Sequence, residues 1–178
     1  FPIQPSIVTN DQFSVVFPEV KRVGYHTWAD ANTAYVFLVD PNPAGERHTL
    51  EVVARNSGKS RQIASTIGRS LVMQPETDHL VFVDKSDSKN WLIKTYNPTT
   101  TLAVEMLNAL NGSEDMAWLD KENLLMASGN EIYLNTSENG YGENWQLVSG
   151  NSLHDLPGTI SRLAVSPDLQ WLALVVSK

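Results

Sequence analysis

Cysteine is missing from the chain altogether. That excludes disulfides, thiolate metal sites and cysteine nucleophiles, and it leaves the redox compartment open. No run approaches 18 consecutive apolar residues, so neither a transmembrane helix nor membrane insertion is expected. Residues 1–10 have neither a basic start nor a long apolar stretch, and they show no signal peptide. Positive charge is also scarce. Lys and Arg number 13 against 20 Asp and Glu, a formal net charge of −7, whereas affinity for phosphate comes from clustered basic residues. Nucleic acid is therefore not an expected partner. What remains is a chain of 178 residues, 42% hydrophobic and 19% charged. This is a globular balance, sized for one domain or a piece of a larger one.

Short β-forming runs recur along the whole length, at residues 13–17, 35–39, 49–53, 80–83, 91–96, 132–134, 145–148 and 172–176. Turn clusters separate them, such as Asp40-Pro41-Asn42-Pro43, Asn56-Ser57-Gly58, residues 84–90, Asn97-Pro98-Thr99 and Asn139-Gly140. Many short strands with frequent turns predict an all-β fold. Residues 102–110 fit a helix through Leu102, Met106, Leu107 and Leu110 as well as they fit a strand, and residues 153–156 suit one helical turn.

A unit repeats: an apolar anchor, a turn with an acidic residue or proline, then a second apolar run. The anchors Trp28, Met73, Trp118 and Val165 are spaced by 45, 45 and 47 residues. A period of that size with about four strands per unit predicts β-propeller blades. The expected boundaries are a partial blade at 1–23, blades at 24–66, 67–113 and 114–159, and a partial blade at 160–178. One four-stranded sheet cannot bury both faces alone. Neighbouring blades must pack face to face, with large anchors such as Trp28 and Trp118 filling the space between them. A degenerate copy at residues 8–15 lies only 20 residues before Trp28. Either the first blade lacks an outer hairpin or residues are missing near Val16-Phe17. The second is favoured, because an absent interior strand leaves unpaired backbone.

The segment Ser166-Pro167-Asp168-Leu169-Gln170-Trp171-Leu172-Ala173 resembles the blade signature of TolB-like, WD-repeat-like β-propellers, with Leu169 where glycine is usual. Val23-Gly24-Tyr25-His26, Ile67-Gly68-Arg69-Ser70-Leu71 and Gly112-Ser113-Glu114-Asp115 resemble a bacterial subgroup of these proteins, many of them exported and without assigned activity. The resemblance implies a periplasmic or secreted protein and the C-terminal portion of a commonly six-bladed ring. Two other routes to closure stay open: the end pieces completing a fourth blade, or two chains sharing one ring. An unclosed ring would be prone to self-association through its open blade edges.

The innermost strand of each blade lines a central channel, so the polar residues just before each anchor are the candidate ligand-binding set: His26, Arg69, Ser70, Glu114, Asp115 and Arg162. They could bind a small polar ligand, an ion or a peptide end, or simply satisfy one another in a watery channel. No catalytic residue, cofactor or metal site is expected. The four histidines lack zinc-motif spacing, with His154-Asp155 read as a loop pair. Residues 84–90 miss the glycine and glutamate of a calcium loop. There is no nucleophile elbow and no phosphate loop. Two functional classes follow. One is a non-catalytic binding or scaffold module holding a protein or small polar ligand at the channel mouth or a propeller face. The other is a propeller enzyme, a glycan hydrolase or lyase, with catalytic groups at the axis. A structural portion that acts only within a longer polypeptide or an oligomer is a third possibility.

Overall fold

The computed structural model describes residues 15–42, 45, 47–110, 112–137, 144–148, 153 and 156–177. Within them the chain forms fourteen strands grouped into sheets in strict sequence order. The first sheet holds β1 (Val23–Trp28), β2 (Thr33–Leu38), β3 (Thr49–Ala54) and β4 (Ser60–Ser65). The second holds β5 (Ile67–Met73), β6 (Leu80–Asp84), β7 (Leu92–Asn97) and β8 (Leu102–Asn108). The third holds β9 (Met116–Trp118), β10 (Asn123–Ser128), β11 (Glu131–Thr136) and β12 (Gln146–Leu147). A hairpin of β13 (Thr159–Val165) and β14 (Leu172–Ser177) follows. Neighbouring strands in every sheet are antiparallel. The result is three complete blades and a fourth of two strands.

The four anchors occupy equivalent places. Each is the last residue of its innermost strand, paired as Trp28 with Ala34, Met73 with Leu80, Trp118 with Leu124 and Val165 with Leu172. The amide after each anchor donates across the turn, Ala29 to Thr33, Gln74 to His79, Leu119 to Asn123 and Ser166 to Trp171. The acidic turn residue closes the loop. Asp30 Oδ1 accepts the amides of Asn32 and Thr33, and Asp120 Oδ1 those of Glu122 and Asn123. Asp168 Oδ1 accepts the amide of Gln170, and in the second blade Thr77 Oγ1 takes this role for His79. Such side-chain acceptors replace backbone partners in a tight turn.

The second strand of each full blade is an apolar run with both faces covered. Along β6, Leu80 and Phe82 pack with Tyr35, Phe37 and Leu50 of the first sheet, while Val81 and Val83 pack with Met116, Leu124 and Met126 of the third. Along β10, Leu125 and Ala127 turn the other way, onto Ile160 and Leu163 of the hairpin. Period-two alternation thus sends successive residues into successive interfaces, giving three cores joined by shared strands. Burying about 25 cal/mol per Å² of apolar surface at each interface is what holds one blade to the next.

One open alternative is decided and two sequence expectations are corrected. Residues 102–110 contribute a strand, β8, and no helix; pairing with β7 satisfies their backbone while Leu107 enters the core. Trp28 does not fill a space between sheets. It is 39% exposed and stacks on Phe17, whereas Trp118 packs at the second core. Residues 15–17 of the expected first strand are not in a strand. The copy at residues 8–15 lies outside the described residues but for Val15. Asn139-Gly140 and His154-Asp155 lie outside them as well. Leu153 and Leu156 are joined by a hydrogen bond from the Leu156 amide to the Leu153 carbonyl.

Candidate functional site

The innermost strands β1, β5, β9 and β13 stand side by side, and three of them break register at a similar level. Gly24 is skipped in the pairing of β1 with β2, residues 68–70 face a single residue of β6, and Ser161 is bypassed between β13 and β14. An extra residue in one strand kinks it and re-aims the side chains beside it. At Gly68 the sequence has little choice. A Cβ there would lie 3.1 Å from Val83 Cβ and 3.4 Å from Glu114 Cβ, so only glycine lets β5 pass without displacing its neighbours.

Beside these bulges, charged groups of three blades meet. Glu114 Oε1 lies 2.5 Å from Lys85 Nζ, and Oε2 lies 3.9 Å from Arg69 Nε and accepts the Arg69 amide at 3.4 Å. Lys85 also sits over the Trp91 ring at 4.5 Å. Asp115 turns the opposite way. Its Oδ2 accepts the Leu163 amide at 2.7 Å and its Oδ1 is 4.0 Å from Arg162 Nε. Burial pushes the Asp115 carboxyl above its usual range, against the opposing pull of the Leu163 amide and Arg162. Arg162 donates through Nη2 to the Tyr25 hydroxyl at 2.7 Å and lies over that ring, which ties the hairpin to the first sheet without any strand pairing between them.

Two cavities adjoin this cluster. One of about 340 Å³ is lined by Arg69, Glu114, Asp115, Gly129, Thr159 and Ser161 among others. The second, about 330 Å³, is lined by Tyr25, His26, Arg69, Ser70, Asp115 and Arg162 among others. Arg69 and Asp115 belong to both.

No family model matches the chain, and no curated protein matches it. Among solved structures, TolB from Acinetobacter baumannii superposes with a TM-score of 0.59 at 16% identity, over 84% of this chain and 36% of that one. The fold is that of a TolB-like β-propeller. The β-propeller domain of the Trilobed protease from Pyrococcus furiosus, described as having an open velcro topology, superposes with a TM-score of 0.46 at 11% identity, over 67% of this chain and 40% of that one. The chain spans about a third of the length of the TolB structure it matches.

Within the propeller, Arg69, Glu114, Asp115 and Arg162 form one cluster of linked contacts. Ser70 is buried and joins β5 to β9, its Oγ accepting the Met116 amide and donating to the Met116 carbonyl, each at 3.4 Å. His26 is exposed and lines the second cavity. Sequence reading missed Lys85, Tyr25 and Ser161. Lys85 stands in a polar loop that reads as an ordinary turn, and its meeting with Glu114 is a contact between blades. Tyr25 follows a bulge whose position is set by pairing. Ser161 meets the two arginines through its backbone carbonyl, which no side-chain pattern reveals.

Proposed function

We propose that the protein is a non-catalytic binding module whose axial cavities hold a small polar ligand or the polar end of a partner protein. The observation that carries this reading is the placement of Arg69, beside the bulge of β5, and Asp115, just before β9, in the lining of both adjoining cavities. A glycan hydrolase needs one carboxylic acid and one carboxylate free to face a glycosidic bond. Here Glu114 is engaged by Lys85 and Arg69, and Asp115 by the Leu163 amide, which favours binding over turnover. By the resemblance of its blade segments, the protein belongs in the periplasm or outside the cell, and no helix among the described residues is long and apolar enough to cross a membrane. The exposed apolar residues Trp171, Leu172 and Val175 around β14 also supply a surface for self-association.

The test is a screen of small polar metabolites, glycans and short peptides by ligand-observed NMR and by product analysis. Binding without product formation is expected, with an affinity that changes in Asp115→Asn. Turnover of a glycan that vanishes in Glu114→Ala would replace this reading with the enzymatic one.

A further inference from the structure

Two arginines of the axial cluster converge in a way that names its ligand class. Arg69 Nη2 and Arg162 Nη1 both donate to the same acceptor, the Ser161 carbonyl, each at 2.9 Å. Two guanidinium nitrogens from two different blades thus sit less than twice that distance apart. Like charges held this close disfavour each other unless an anion lies between or beside them. The carboxylates among the described residues cover them only in part. Glu114 is taken up by Lys85 at 2.5 Å and reaches Arg69 Nε only at 3.9 Å, and Asp115 stands 4.0 Å from Arg162 Nε. Arg69 Nε is buried and makes no hydrogen bond to any described residue.

We infer that the paired guanidinium groups of Arg69 and Arg162, set on the Ser161 carbonyl between the two axial cavities, form a receptor for an oxyanion, a carboxylate or phosphate group of the bound molecule. The inference rests on the axial binding reading above and adds its ligand class. A planar fork of donors matches a carboxylate or phosphate edge, and such charge-assisted pairs are the strong ones. The bulge that displaces Ser161 is what turns its carbonyl to gather both arginines.

The experiment is a titration of the whole chain, followed by ¹H–¹⁵N NMR at low ionic strength, with three separate probes: succinate, inorganic phosphate and butylammonium chloride. Succinate, phosphate or both should shift the arginine Nε–H signals and the amides of Ser161, Arg162 and Leu163. Stronger binding of succinate assigns a carboxylate, and stronger binding of phosphate a phosphate group; either supports the receptor. Arg69→Gln should weaken the anion by about tenfold or more, while Arg69→Lys keeps the charge, loses the fork and should weaken it less. The lysine variant also serves where glutamine disturbs folding. Anion-induced shifts unchanged in both variants would overturn the inference. A response of these signals to butylammonium with none to either anion would also overturn it and leave the axial binding site standing. Silence toward all three probes would remove both.

Discussion

Tyr35 lies in the core between the first two blades with no exposed surface, edge to face with Tyr96 at 5.9 Å. Its hydroxyl has no hydrogen-bond partner among the described residues. Burial, reinforced by Tyr96 and by nearby Asp78 and Asp30, pushes the phenol up from 10.0 to about 12. In the unfolded chain the phenol ionises at its ordinary value. Across the window from 10 to 12 the unfolded state therefore sheds a proton that the native state keeps, and stability falls as pH rises, by at most about 1.4 kcal/mol per pH unit. Tyr35→Phe should gain about 1 kcal/mol at pH 7 by removing an unsatisfied buried hydroxyl. Its advantage should widen above pH 10, as read by guanidinium unfolding at pH 7 and pH 11. A variant less stable at both values would mean that the hydroxyl has a partner. The sequence could mark Tyr35 as core through its strand run, but not its unsatisfied hydroxyl, which depends on what the next blade brings against it. At Leu169 the reverse holds. The departure from glycine was visible in the turn signature, and the residue does sit in the left-handed region at φ 57°, where an L-residue costs roughly 1–2 kcal/mol.

Strands were easy to place where both faces are buried and hard where they lie at the outside. The second strands β2 and β6 are dense apolar runs that read directly as strands, while β10 showed only as the second apolar run of its repeat unit. The outer strand β8 exposes Leu102 and Val104 and buries Leu107, so its apolar residues obey no single period. A helix was an equal candidate until pairing with β7 decided the matter. Bulges are less legible still, because they are defined by register against a partner strand. Yet they shape the site: the bulge in β5 carries Arg69 and needs Gly68 for its close passage by Val83 and Glu114. Gly68→Ala is expected to cost about 1–3 kcal/mol through overpacking, measured by urea unfolding. It should also shift the Glu114 and Arg69 resonances more than those of the distant turn at Asp168. A variant with unaltered stability would show that β5 has room to move, and the rigid placement of Arg69 would lose its support.

Across the whole molecule, the three apolar cores couple each sheet only to its neighbours in sequence. The anchor period made this arrangement legible, since equal spacing implies equal units stacked in order. The side-chain link from Arg162 to Tyr25 was not legible, because it joins the two ends of the arc. A stack with nearest-neighbour interfaces should behave like other quasi-repetitive proteins, in which each unit's stability is its own plus that of its interfaces. The fourth blade has one interface core, formed by Ile160 and Leu163 against Ala117, Leu125, Ala127 and Ile132. Leu163→Ala should open a cavity there and weaken the hairpin by about 2–5 kcal/mol. Amide exchange in β13 and β14 should then accelerate by orders of magnitude. The amides of β2, β3, β6 and β7, in the first two cores, should keep their protection. Uniform acceleration through all four sheets would mean that the arc unfolds as one unit, and that the contact of Arg162 with Tyr25 transmits the loss around to the first blade. Adding Tyr25→Phe, which removes the hydroxyl that Arg162 donates to while keeping the ring, separates the two cases. It should leave exchange in the first sheet unchanged if neighbours alone communicate, and should confine the loss to the hairpin and third sheet if the end-to-end link was carrying it.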